Sequence, residues 1–183
     1  MFKLWLGTSV ADITPMGLIL EAPHVFVEEI GLESIRAIAK DYAGRMLAHR
    51  ASNHPSAFAA LGDAGAPSIE SAGESVLRQR LARYHGAQAD QTFWGWNDVW
   101  LNPEFKSWNI EEYLPQVRVP VLLIQGADDK YGTDEQVRRI EAGCKARVRT
   151  VLLPECGHSP HLDRPEHACD VMKEFVAEVF GVR

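Results

Sequence analysis

Cysteine is scarce in this chain. The three present, Cys144, Cys156 and Cys169, are odd in number and lack C-x-x-C spacing, so they suggest neither a disulfide framework nor a zinc site. No metal or cofactor is expected, and a reducing cytoplasm is the expected compartment. Basic charge is also short: 19 Lys and Arg stand against 25 Asp and Glu, a net charge of -6, which argues against a nucleic-acid partner. One local basic cluster, Arg78, Arg80 and Arg83, lies on a short amphipathic pattern and reads as a solvated helix face. No run approaches the roughly 18 apolar residues of a membrane span, and the first residues lack the apolar core and small-residue cleavage site of a signal peptide. No membrane association is expected. What is present, 183 residues of which 46% are hydrophobic and 24% charged, suffices for a globular domain with a real core.

"GLIL", from Gly17, opens a compact apolar run between Pro15 and Pro23, and residues 17–22 are expected to form a buried strand. From Glu33 the period changes. Ile35, Ile38, Ala39, Tyr42 and Met46 fall on one helical face, predicting a helix to about His49. The stretch 51–75 loses all periodicity and fills with Ala, Gly, Ser and Pro, the composition of a loop or insert. Leu77, Leu81 and Tyr84 mark a further short helix. "TFWGWNDVWL" then gathers Phe93, Trp94, Trp96 and Trp100, a set that serves either as helix-packing core or as a ligand wall.

The C-terminal third alternates clearly. "VPVLLIQG", Val119 to Gly126, is the continuous apolar run of a strand covered on both faces. Thr133 and Gln136 form a capping box for a helix with Val137, Ile140 and Cys144 on its apolar stripe. A strand from Thr150 to Pro154 follows. The last helix begins with Asp163 and Glu166 in cap positions and stops at Gly181. Strand, helix, strand, helix implies a parallel sheet in which the Val119 and Thr150 strands are neighbours.

In an open parallel sheet, chemistry gathers beyond the carboxyl ends of the strands. Asp128 and Asp129 follow one strand and a glycine turn, and His158 follows the next strand behind Gly157. Adjacent strands lie about 4.8 Å apart, so a carboxylate and an imidazole there can meet. The carboxylate would set the imidazole tautomer, and the other ring nitrogen would take a proton from a nucleophile. Alternatively the aspartates are turn-formers and His158 a surface loop residue.

"VPVLLIQGADD" followed by "LLPECGHSPHLDRPEHACDVMKEFV" resembles the last third of an α/β-hydrolase. In that family G-x-x-D after the penultimate strand carries the acid and G-H after the last strand carries the histidine. The resemblance assigns these roles to Asp129 and His158. "GLILEAPHVFVEEI" is similar to the strand that leads into the family's helical cap. The implied architecture is α/β: a partial α/β-hydrolase fold, a three-stranded parallel sheet with the Val119 strand central between the other two, flanking helices and a cap. Residues 1–31 would be the N-terminal segment and first strand, 32–114 the cap, and 115–183 the C-terminal βαβα part. His24 and Phe26, after the first strand, and Trp94 and Trp96, in the cap, are the candidate substrate-binding residues.

The nucleophile is the weak point. Gly7-Thr8-Ser9-Val10-Ala11 is one residue short of G-x-S-x-G. Only eight positions separate Ser9 from Gly17, and Asp12, Thr14 and Pro15 stand among them, too few for the helix a parallel crossover requires. Ser9 is therefore not expected within reach of His158. The chain reads as the C-terminal portion of a hydrolase, carrying acid and histidine but lacking the serine and oxyanion donors. The expected function is hydrolysis of a small ester, thioester or C–C bond substrate by Ser-His-Asp chemistry. The alternative is a non-catalytic ligand-binding or interaction module of the same fold. An open sheet edge at Leu18, Ile19 and Leu20 would then favour self-association.

Overall fold

The computed structural model describes residues 15–43 and 75–181. Ser9, residues 44–50 of the expected first helix and residues 51–74 of the expected insert lie outside them. The chain clusters into two compact units, Met1–Glu28 with Asn109–Arg183, and Glu29–Trp108.

The first unit is built on three parallel strands, β1 (Leu18–Glu21), β2 (Val121–Gly126) and β3 (Val148–Leu153), in the order β1-β2-β3. Leu18 pairs with Val121, and Val121 with Val148. All six residues of β2 are buried because the pleat sends alternate side chains into two separate cores. Val121 and Leu123 meet Val137 and Ile140 of helix α4 (Asp134–Gly143), together with Val25, Leu114 and Val117. Leu122 and Ile124 meet Leu153, Cys156, and Val171 and Phe175 of helix α6 (Pro165–Phe180). Strand β1 alternates too: Leu18 and Leu20 pack on the α4-side core and Ile19 is exposed. Of the three side chains of the expected apolar edge, two are thus half-buried.

Two expected caps are corrected. Thr133 does cap α4, its Oγ1 accepting from Glu135 N at 3.1 Å, but Gln136 makes no reciprocal bond. Its fully buried amide accepts from Val25 N at 2.8 Å and donates to Phe26 O at 3.0 Å and to Glu28 Oε2 at 2.7 Å. A tertiary demand has taken the side chain away from its own helix. Asp163 ends a separate short helix, α5 (Pro160–Asp163), and accepts from Gly157 N at 2.8 Å, so α6 starts at Pro165 without it. At the other end Gly181 (φ 63°) closes α6 in the left-handed conformation glycine adopts without penalty.

The second unit holds α1 (Glu29–Ala43), α2 (Val76–His85) and α3 (Ala89–Leu101). Helix α1 starts before the expected Glu33, since Leu32 already lies on the buried face with Ile35, Ala39 and Tyr42. The Tyr42 ring stacks on Phe93 at 3.6 Å between centroids, and the edge of Trp94 meets both. Arg78 is not a purely solvated residue: its Nε and Nη2 each bind an Asp90 oxygen at 2.8 Å, and the Tyr42 hydroxyl donates to the same carboxylate at 2.9 Å. Arg80 and Arg83 are exposed. The sequence pattern put a cap at about 32–114. The chain passes between units at Glu28 and Trp108, because Phe26 bridges to Asn109 and Leu114 belongs to the α4-side core. Among the described residues no helix is long and apolar enough to cross a membrane.

The two cores flanking β2 carry the first unit. Truncating fully buried Leu122 to Ala should cost about 2–5 kcal/mol, whereas the same change at exposed Leu162 should stay within about 0.5 kcal/mol. Urea denaturation of both variants checks the contrast.

Candidate active site

The carboxyl ends of β2 and β3 are forced together. A Cβ on Gly126 would stand 2.1 Å from Gly157 O and 2.3 Å from Cys156 O, so only glycine permits this approach. The backbone then bonds across the gap: Ala127 N donates to Leu153 O and Asp128 N to Cys156 O, both at 2.9 Å. Beyond β3, Glu155 takes a left-handed φ of 50° and is ion-paired to Arg164. The chain turns there and presents Gly157 and His158 toward the turn after β2.

In that turn Asp128 is exposed and Asp129 is buried. Asp129 Oδ2 lies 2.9 Å from His158 Nδ1, the partner expected from the G-x-x-D position. The same oxygen accepts from Gln125 Nε2 at 2.7 Å, and Oδ1 accepts from Tyr131 N at 2.8 Å, an Asx-type turn. The Asp129 side chain is 1% exposed and that of His158 36%, so the pair joins a dry carboxylate to a partly open imidazole. Burial pushes the Asp129 carboxyl up, but the bonds from His158, Tyr131 N and Gln125 outweigh it and hold the group below its ordinary value. The ionised carboxylate fixes the proton on Nδ1, leaving Nε2 as the basic ring nitrogen.

Two more rings flank His158. The Tyr131 centroid lies 4.7 Å away and the His24 centroid 5.5 Å away, both tilted. His24 follows β1 and Ala22, another left-handed residue (φ 43°), and sits against Gly132, where a Cβ would come within 2.9 Å of its Cε1. Its segment is latched to α4 by the Gln136 bonds and by Glu28, which accepts from Thr133 Oγ1 at 2.6 Å and Thr133 N at 3.0 Å. Burial, then the His158 charge, lower the His24 pKa against the opposing pull of Asp129 and Glu28, favouring the neutral ring. Burial and the Asp129 charge raise that of Tyr131, keeping its hydroxyl protonated.

Of the two expected substrate-binding residues in the first unit, His24 lies beside His158. Phe26 packs on the α4-side core beneath the Arg139 guanidinium, 4.2 Å from its ring centroid. Trp94 is buried within the helical unit and Trp96 is exposed on it, 6.3 Å from Phe93. Sequence reading missed Gln125, Tyr131, Gln136 and Glu28. One signal was available: Gln125 is the polar residue in an otherwise apolar strand, four positions before the acid. Among the described residues no cluster of three His, Cys, Asp or Glu could hold a metal ion.

The family model described as "Alpha/beta hydrolase family" matches residues 6–169. No curated protein matches the sequence. Among solved structures, NosK from Streptomyces actuosus aligns with a TM-score of 0.53 at 17% identity, covering 90% of this chain and 59% of that one. The putative non-heme bromoperoxidase BpoC from Mycobacterium tuberculosis H37Rv gives 0.49 at 18%, covering 90% and 58%. A thermophilic esterase from Thermogutta terrifontis gives 0.46 at 18%, covering 90% and 56%. The chain thus spans less than two thirds of each of these structures, and the likeness to NosK, at 17% identity, is one of fold. With strands in the order β1-β2-β3, an aspartate and a histidine at adjacent strand ends, and a match over most of its length, the chain belongs to the alpha/beta hydrolase family.

Proposed function

We propose that Asp129 and His158 are the acid and base of a serine-type hydrolase acting on a small ester, thioester or C–C bond substrate. The observation that carries this reading is the 2.9 Å contact between a buried carboxylate oxygen and His158 Nδ1, with the ring partly open. In this arrangement His158 Nε2 takes the proton of an attacking hydroxyl and later returns it to the leaving group, while the Asp129 charge stabilises the imidazolium between the two steps. A substrate at His158 would meet the His24 and Tyr131 rings, whose centroids lie 5.5 and 4.7 Å from the imidazole. Ser9 lies outside the described residues, and among those residues no hydroxyl or thiol is bonded to His158.

In a second reading, the flanking rings hold a small ligand without turnover. Hydrolysis of a short p-nitrophenyl ester, with a fluorophosphonate probe for an activated serine, separates the two. Catalysis requires both turnover and labelling, and their joint absence leaves the binding reading. Where turnover occurs, Asp129→Asn should lower kcat about 10³- to 10⁴-fold and His158→Ala at least as much, whereas exposed Asp128→Asn should change little. Ser9→Ala reports whether Gly7 to Ala11 supplies the nucleophile.

The lowered His24 pKa also makes stability depend on pH. The unfolded chain, with an ordinary imidazole near 6.5, takes up its proton before the folded chain does, so the folded state loses stability as pH falls below that value. A His24→Gln variant lacks this component. Its stability relative to the parent protein should improve between about pH 7.5 and pH 5 in paired urea denaturations, and an unchanged difference would count against the neutral ring.

A further inference from the structure

Gln125 occupies the last inward-facing position of β2 on the α4 side, where the alternation that buries Val121 and Leu123 calls for another apolar residue. Its side chain belongs to a residue only 1% exposed. Burying an amide is costly unless it is bonded. One N–H donates to Asp129 Oδ2 at 2.7 Å and Nε2 also reaches Gly132 O at 3.3 Å. The amide therefore holds both ends of the turn that carries the acid. Asp129 in turn receives three donors on two oxygens, with water excluded from a side chain 1% exposed. Tyr131 N fixes Oδ1 from within the turn. Gln125 is the donor from the strand below, and it shares Oδ2 with His158.

We infer that Gln125 is a positioning residue of the acid–imidazole pair, fixing Oδ2 of Asp129 as the oxygen offered to His158 and moderating the charge that the imidazole meets. It rests on the proposed catalytic reading only for its effect on rate. A packing residue could fill the same space with an apolar side chain. An amide there has chemical work only because the carboxylate four residues later must stay ionised without water. The other groups that act on this carboxylate are His158, His24, Tyr131 and Cys156, and each stands unchanged in the variants below.

The test is a carboxyl-carbon and side-chain amide NMR titration of the full chain. In the parent protein the Gln125 amide resonances should shift with the midpoint of Asp129. In Gln125→Met, which removes the donor at similar volume, Asp129 should titrate at higher pH, since a hydrogen bond to its charged form is gone. In isosteric Gln125→Glu, the two buried carboxyls share a proton and should titrate in two coupled steps, the upper of them above the parent Asp129 midpoint. If either variant fails to fold, the other and the parent amide titration still decide. A Gln125 amide insensitive to Asp129, or an Asp129 midpoint unmoved while the denaturation midpoint falls, would reduce Gln125 to a packing residue and overturn the inference. Where the ester assay gives turnover, Gln125→Met should lower kcat about tenfold with KM unchanged. A shifted carboxyl midpoint in a chain without esterase activity supports the positioning role and removes the catalytic one.

Discussion

Gly126 lets the end of β2 approach the chain beyond β3 so closely that the two backbones bond through Asp128 N and Cys156 O, and the acid–imidazole pair follows from that approach. Parallel strands bring their carboxyl ends to one side of a sheet, but a spacing of about 4.8 Å only makes a meeting feasible. The absent side chain at Gly126, the left-handed turn at Glu155 and the Gly157–Asp163 bond convert it into a 2.9 Å contact. The first lies at the end of a strand and the other two in the chain that follows β3.

Around that contact the protein spends polar groups in its interior where apolar ones would pack. Gln125 and Gln136 are both buried amides on the α4 side of the sheet. Gln125 supports the acid from below, and Gln136 with Glu28 ties the segment after β1 to the start of α4. Both polar atoms of the Gln136 amide are bonded, whereas Gln125 Oε1 is buried without a partner, so the Gln125 amide is held by its donor side alone. The outcome is a dry ionised Asp129, a half-open His158 and a neutral His24 within a few ångströms of one another.

The sequence by itself determined the parallel sheet, its order and the choice of Asp129 over Asp128. A continuous apolar strand, a strict turn spacing and the resemblance carried by "IQGADD" and "PECGHS" are local signals, and local signals survive in a linear string. The helices α1, α2, α4 and α6 were legible for the same reason, apart from the first turns of α1 and α6, which begin at Glu29 and Pro165. Only the tertiary structure decided how polar side chains were used. Gln136 reads as a helix cap, Asp163 as another and Gln125 as nothing in particular. Gln136 instead bonds Val25, distant in the chain, and Asp163 bonds Gly157 across the turn after β3. For Gln125 the partner is near in sequence but counts only because both groups are buried. A hydrogen-bonding group takes the partner that burial leaves it, and burial depends on the whole chain.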